Sequence, residues 1–210
     1  MNKPATVEGR SYVARNAGSW HSDLSFTNRP TSLTFLFAKE LPSVGGDTMF
    51  ANLIMAHDAL SPALRELLGP LEAVHDFTLG STYLRASAEE QAELRRLNPP
   101  VAHRIVRAHP ETGRKSLFLG DRMRTIVGMT EAESRPLIDF LNRHGARYEF
   151  LYRHRWTVGD LVVWDNRCTT HFAVGDHDPR ELRSMLRCSL VGCETGRVES
   201  LAAETLVAAG

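Results

Sequence analysis

Short runs of aromatic, aliphatic and β-branched residues, each closed by a turn signal, recur along the 210-residue chain. T-S-L-T-F-L-F-A (31–38) reads as a strand that runs out at Pro42, Gly45 and Gly46. V-A-H-R-I-V-R-A (101–108) and K-S-L-F-L (115–119) read as strands around the turn P-E-T-G. Y-E-F-L-Y-R-H-R-W (148–156) alternates, G-D-L-V-V-W (159–164) is a short apolar run, and S-M-L-R-C-S-L-V-G (184–192) is the last strand. A parallel α/β sheet would need regular strand–helix alternation, which this order does not offer. The pattern predicts a mainly β fold with helical insertions, a β-sandwich or jelly roll.

The insertions announce themselves by their ends. Residues 52–60 and 62–68 read as two short helices, the second entered by Ser61 as N-cap and Pro62 as first helical residue. Ser87 and Glu90 form a capping box opening a helix to about Leu97, stopped by Pro99-Pro100. Thr130 and Glu133 form another, opening a helix to about His144 with Gly145 as its stop. One domain is expected over 1–210, with 1–15 as a short N-terminal segment and 193–210 as a tail. Lys+Arg and Asp+Glu balance at 25 each, which gives no electrostatic reason for a nucleic acid or anionic membrane partner. No apolar run approaches the roughly 20 residues that span a bilayer. Three cysteines without a C-x-x-C, and a start lacking an apolar signal region, lead us to expect a cytoplasmic protein.

Within W-H-S-D-L-S-F (20–26), His21 and Asp23 stand two apart in a stretch built like a half-buried strand. Residues at that spacing share one side of a sheet, with Ser22 turned away. Taken alone, H-x-D is a weak signal. Far along the chain, V-V-W-D-N-R-C-T-T-H-F sets His171 at the end of an apolar strand. Two histidines and one carboxylate brought together by sheet pairing would make a metal site with open positions, the facial set of non-haem iron(II) oxygenases. A structural zinc site would close its coordination and favour cysteine. P-R-E-L-R-S-M-L-R then carries Arg183 and Arg187 four apart, so both guanidiniums are expected on one strand face. On a face whose other residues are uncharged, each needs an anion, from the protein or from a ligand.

These motifs, in this order, resemble the taurine dioxygenase (TauD/TfdA) family of Fe(II)- and 2-oxoglutarate-dependent dioxygenases. The resemblance covers about residues 16–192, from W-H-S-D-L-S-F through F-A-K-E-L-P-S-V-G-G-D-T-M-F to W-D-N-R-C-T-T-H-F and the arginine strand. It implies a double-stranded β-helix (a cupin-like jelly roll), N-terminally short for the family, with His21, Asp23 and His171 as iron ligands. It further implies that Thr48 and Arg183 hold the distal carboxylate of 2-oxoglutarate, and that Arg187 and the backbone at Leu24 face the substrate. The reaction implied consumes O2, releases succinate and CO2, and hydroxylates a small anionic molecule such as a sulfonate or carboxylate. A homo-oligomer is expected to complete a pocket left open by the short N-terminus.

The alternatives are a truncated, noncatalytic metal-binding relative and a cupin-like isomerase or hydrolase using the same three ligands. A clamp for a 2-oxoglutarate carboxylate argues against the latter. His75, His103, His109 and His154 read as surface or satisfied structural histidines, and Arg153 and Arg155 as a solvated strand face. Cys168 and Cys188 read as small apolar strand residues, and Trp164-Asp165-Asn166 as a turn that fixes the His171 strand.

Overall fold

The computed structural model describes residues 18–199. In chain order these residues form β1 (Thr31–Glu40), β2 (Thr48–Asn52), α1 (Leu53–Asp58), α2 (Pro62–Leu68), β3 (Glu72–His75), α3 (Ser81–Leu84) and α4 (Ala88–Leu97). There follow β4 (Val101–Arg104), β5 (Val106–Ala108), β6 (Lys115–Leu117), β7 (Met123–Ile126), α5 (Glu131–Gly145), β8 (Leu151–His154), β9 (Leu161–Asp165), β10 (Thr169–Ala173), β11 (Ser184–Val191) and β12 (Arg197–Val198). The chain is thus mainly strands with inserted helices, as its pattern of short runs predicts.

Two three-stranded antiparallel sheets carry the site. One has the order β11-β1-β9 and the other β10-β2-β8. They meet through aromatic side chains: the Trp164 ring of β9 lies 5.3 Å from Phe50 of β2 and 4.8 Å from His171 of β10. Between β2 and β8 the chain makes a helical insertion in which β6 packs on α1 and β7 on α5; its strands β4, β3 and β7 form a sheet that β12, from the far end of the chain, extends at the β4 edge. The fully buried apolar core, with Leu53, Ile105, Leu117, Ile138 and Leu141, sits in this insertion. The space between the two sheets is lined instead by buried Asp23, Thr34, Thr48, Asn166 and His171. Burying polar groups is costly unless they are paired, and most of these side chains are hydrogen-bonded to one another or to the backbone around them.

Helix ends are where sequence and structure agree best. Both capping boxes form, Ser87 with Glu90 and Thr130 with Glu133, and Ser61 caps α2 with Pro62 in its first turn. Strands agree less well. Residues 148–150 form a 3-10 turn before β8 rather than the start of a long alternating strand. The run 101–108 breaks at Ile105, which is fully buried and bonds Phe118 and Leu71 instead of continuing one ladder. Strands β2, β3, β7 and β12 are only two to five residues long, too short to show a period. The tail is tied down through Glu199, since β12 pairs with β4 and the Glu199 N–H reaches Pro100 O. Residues 1–17, which include the short N-terminal segment 1–15, and 200–210 lie outside the described residues.

Candidate metal centre

Trp20–Phe26 is not a strand. Only His21 bridges β10, exchanging both backbone hydrogen bonds with His171, and the chain turns immediately afterwards. Leu24 takes a left-handed conformation in that turn (φ 52°), a strained choice for a branched side chain. Asp23 nevertheless meets His21 as sheet geometry would have had it, because tertiary contacts hold it there. Its N–H donates to Asn166 Oδ1 (3.0 Å) and its Oδ2 accepts from Thr34 Oγ1 (2.6 Å), while Ser22 turns away and donates to Thr169 O. His171 lies in the middle of its own strand, β10, opposite Phe50, rather than at the end of the preceding one.

The result is a three-donor cluster. Asp23 Oδ1 lies 3.8 Å from His21 Nε2 and 3.7 Å from His171 Nε2, and one donor atom from each residue falls within 4.8 Å of the others. His21 Nδ1 rests 2.8 Å from Ser19 O, which sets the ring so that Nε2 faces the cluster. His171 Nδ1 has no hydrogen-bond partner among the described residues, and its ring is held by packing on Trp164, Phe50 and His21. Burial, and secondarily the neighbouring His21, push the His171 pKa down to about 3, so the ring is neutral at pH 7. Burial would raise the Asp23 pKa, but His171, Arg187, the Thr34 hydroxyl and His21 outweigh it and the pKa is lowered. A neutral His171 and an ionised Asp23 are the protonation states that metal ligation requires of them. The donor set suits a divalent ion such as iron(II) bound on one face.

A second cationic group stands beside this cluster. Thr48 faces Ala173, two positions along the β2–β10 ladder from the Phe50–His171 pair, or about 7 Å. Arg183, just before β11, donates from Nε to Gly46 O (2.8 Å) and places Nη2 3.5 Å from Thr48 Oγ1. The loop is built for this approach. Gly46 has φ 74°, and a Cβ there would meet the Arg183 side chain at 3.1 Å. Trp156 Nε1 also donates to Thr48 Oγ1 (3.1 Å). Burial lowers the Arg183 pKa, with Asp47 acting against that shift. Among the described residues Arg183 has no carboxylate within ion-pair distance, so it is a part-buried cation open to an anion. Arg187 does have one: its Nη2 lies 2.5 Å from Asp23 Oδ1.

Several residues read as bystanders do more. Asn166 is buried and joins three partners of the site, accepting from Asp23 N and Trp164 Nε1 and donating to Thr34 Oγ1. Nothing in a lone W-D-N turn or in Thr34 of β1 could have assigned those roles without the fold. Arg153 is not merely solvated, since it bonds Asp47 (2.7 Å) and Asp176 (2.9 Å) and so braces the G-G-D-T loop. His109 joins Asp165 and Cys168 in a second cluster, and Cys168 sits in the turn before β10 rather than in a strand. That Asp165 carboxylate is already saturated by Arg167 and His109. Cys188 is exposed, and His75 is sealed with neither ring nitrogen bonded among the described residues.

Two facing antiparallel sheets bring two histidines and one carboxylate together as a donor set that could hold one metal ion, beside an arginine with no carboxylate partner among the described residues. The chain belongs to the TauD/TfdA dioxygenase family, since the model for "Taurine catabolism dioxygenase TauD, TfdA family" matches residues 2–189. It is 41% identical over 170 residues to an alpha-ketoglutarate-dependent 2,4-dichlorophenoxyacetate dioxygenase of Cupriavidus pinatubonensis, covering 80% of this chain and 59% of that one. It is 35% identical to an alpha-ketoglutarate-dependent sulfate ester dioxygenase of Pseudomonas putida, covering 89% and 66%. A crystal structure of AAD-2 in complex with Mn(II) and N-oxalylglycine superposes with TM-score 0.76 at 35% identity, covering 84% of this chain and 69% of that one. The chain spans about three-fifths of the length of the dichlorophenoxyacetate dioxygenase.

Proposed function

We propose that this chain is an iron(II)- and 2-oxoglutarate-dependent dioxygenase that hydroxylates a small organic anion, built on a single jelly-roll domain. The observation that carries this reading is Arg183, a part-buried guanidinium beside the three metal donors with no carboxylate partner among the described residues. A planar fork in that position suits a carboxylate bidentately. Thr48 Oγ1, within reach of the same fork, would take part in holding that distal carboxylate. His21, Asp23 and His171 would hold the iron on one face.

Bound there, iron(II) with 2-oxoglutarate and O2 supplies oxidative decarboxylation to succinate and CO2, coupled to insertion of one oxygen atom into a substrate C–H bond. The protein's own contribution is geometric. Neutral His171, anchored His21 and ionised Asp23 fix the metal, while Arg183 and Thr48 orient the cosubstrate. Arg187 and the backbone at strained Leu24 would face the substrate. The relatives' named substrates are an aryloxy carboxylate and a sulfate ester, and Arg187 fits an anionic head group of either kind. We place the protein in the cytoplasm, and a second subunit would close the substrate side of the pocket.

The test is succinate release from 2-oxoglutarate under air with Fe(II) and a panel of aryloxyacids, alkyl sulfonates, sulfate esters and neutral analogues. Anaerobic addition of Fe(II) and 2-oxoglutarate should also develop a weak visible absorption. Acid-dependent succinate release supports the proposal. Metal binding without that absorption and without turnover would instead identify a noncatalytic relative.

A further inference from the structure

Asp23 Oδ1 is claimed twice. It is the corner of the metal-donor set, 3.8 Å and 3.7 Å from the two histidine Nε2 atoms, and it is also the oxygen that Arg187 Nη2 touches at 2.5 Å. The other oxygen is not free to share the load, because Thr34 Oγ1 occupies Oδ2 and is itself fixed by Asn166. Asp23 is 4% exposed, so without a metal its charge needs a cation from the protein. The guanidinium in contact with that carboxylate is Arg187. A divalent ion ligated by this oxygen and both histidines would stand next to the guanidinium. Two cations on one carboxylate oxygen repel at close range, where water screens poorly.

We infer that Arg187 is a metal-displaced latch: it stands in for the metal on Asp23, and metal binding expels it toward the substrate side. The inference rests on the reading of Arg187 as the substrate's anion anchor. Its place in the fold suits such a movement. Arg187 sits in mid-β11 opposite Leu36, on a long side chain that is 49% exposed, so it can swing outward without repacking a core. While latched, the fork is spent on Asp23. Released, it is an uncompensated cation at the rim of the metal site, which is what an incoming carboxylate or sulfonate requires. Metal loading and substrate-anion binding would then be linked by one side chain, and by thermodynamic reciprocity each would tighten the other. The device also keeps substrate out of a metal-free site.

The experiment uses the full chain stripped of metal, with Mn2+ as a redox-inert probe followed by calorimetry. Arg187→Gln should bind Mn2+ about tenfold more tightly than wild type, because the ion no longer displaces a cation. The gain should persist in about 1 M NaCl, where the screening length has shrunk to about 3 Å and only a direct contact survives. Metal-free Arg187→Gln should melt below wild type, and the gap should close once Mn2+ is added. Wild type alone supplies an independent arm: phenoxyacetate should bind at least tenfold more tightly with Mn2+ present than without it. Unchanged or weaker Mn2+ affinity in Arg187→Gln, a gain that vanishes at high salt, or metal-independent phenoxyacetate binding would each overturn the latch. Absence of succinate release would count against the dioxygenase reading alone, since the Mn2+ arms need no turnover.

Discussion

Replacing Thr34 with valine keeps the shape of a fully buried side chain and removes one hydroxyl. That hydroxyl makes two contacts: it donates to Asp23 Oδ2 at 2.6 Å and accepts from Asn166 Nδ2 at 2.9 Å. A hydrogen bond to a buried carboxylate contributes about 1.5–3 kcal/mol, and the Asn166 donor left unpaired costs about 1–3 kcal/mol more. With no cavity term for so conservative a change, the expected loss is about 4 kcal/mol, a large share of the roughly 5–15 kcal/mol that holds a domain together. For a chain of this size that corresponds to a melting point lower by about 12 °C. The same change should loosen the metal site, since outer hydrogen-bond partners of ligating groups typically affect metal affinity by about 10–100-fold. Thermal melts of the metal-free protein and Mn2+ calorimetry measure the two effects separately. A valine variant that melts within about 3 °C of wild type and binds Mn2+ equally well would refute the claim that the Thr34–Asn166 pair holds Asp23 in place.

Two further outcomes are expected. Arg183→Ala should weaken 2-oxoglutarate binding by about 30- to 1000-fold, the equivalent of 2–4 kcal/mol for a lost bidentate contact, and Arg183→Lys should rescue little of it; equal binding in all three proteins would remove Arg183 from the site. The metal-free protein should lose stability as pH falls from about 6.5 toward 3, because the unfolded chain protonates His171 near its ordinary value while the folded chain resists until about 3. Sealed His75, whose pKa burial pushes well below normal, acts in the same direction, and each contributes a slope of up to about 1.4 kcal/mol per pH unit. In urea melts taken across that range, His171→Gln should flatten the dependence, and an unchanged slope would show that His171 does not titrate as a buried group.

Helix boundaries were legible because capping is local chemistry: the side chain of Ser87 or Thr130 satisfies a backbone donor three residues away whatever the rest of the chain does. The long strands β1 and β11 were legible because their composition suits a pleated, half-buried surface over eight residues or more. Strands as short as β2 or β7 were not, since two or three apolar residues fit a turn, a helix start or a strand equally. For the site, the residue types spoke first. His21, Asp23 and His171 stood out as donors, and Arg183 and Arg187 as cations in search of anions.

The sequence by itself determined the chemistry on offer: which side chains can ligate a metal, which can fork onto a carboxylate, where glycines let a loop come close, and where helices begin. Those are properties of single residues and their near neighbours. Tertiary structure alone decided which of them meet. Asp23 joins His21 through Asn166 and Thr34 rather than through strand geometry, and His171 enters from a separate strand, β10. Arg153 braces a loop, and Arg187 rests on the carboxylate that a metal would need. Each of these pairings spans many residues of chain, and its energy comes from contacts formed only once the two sheets face each other. No local pattern in the sequence encodes them.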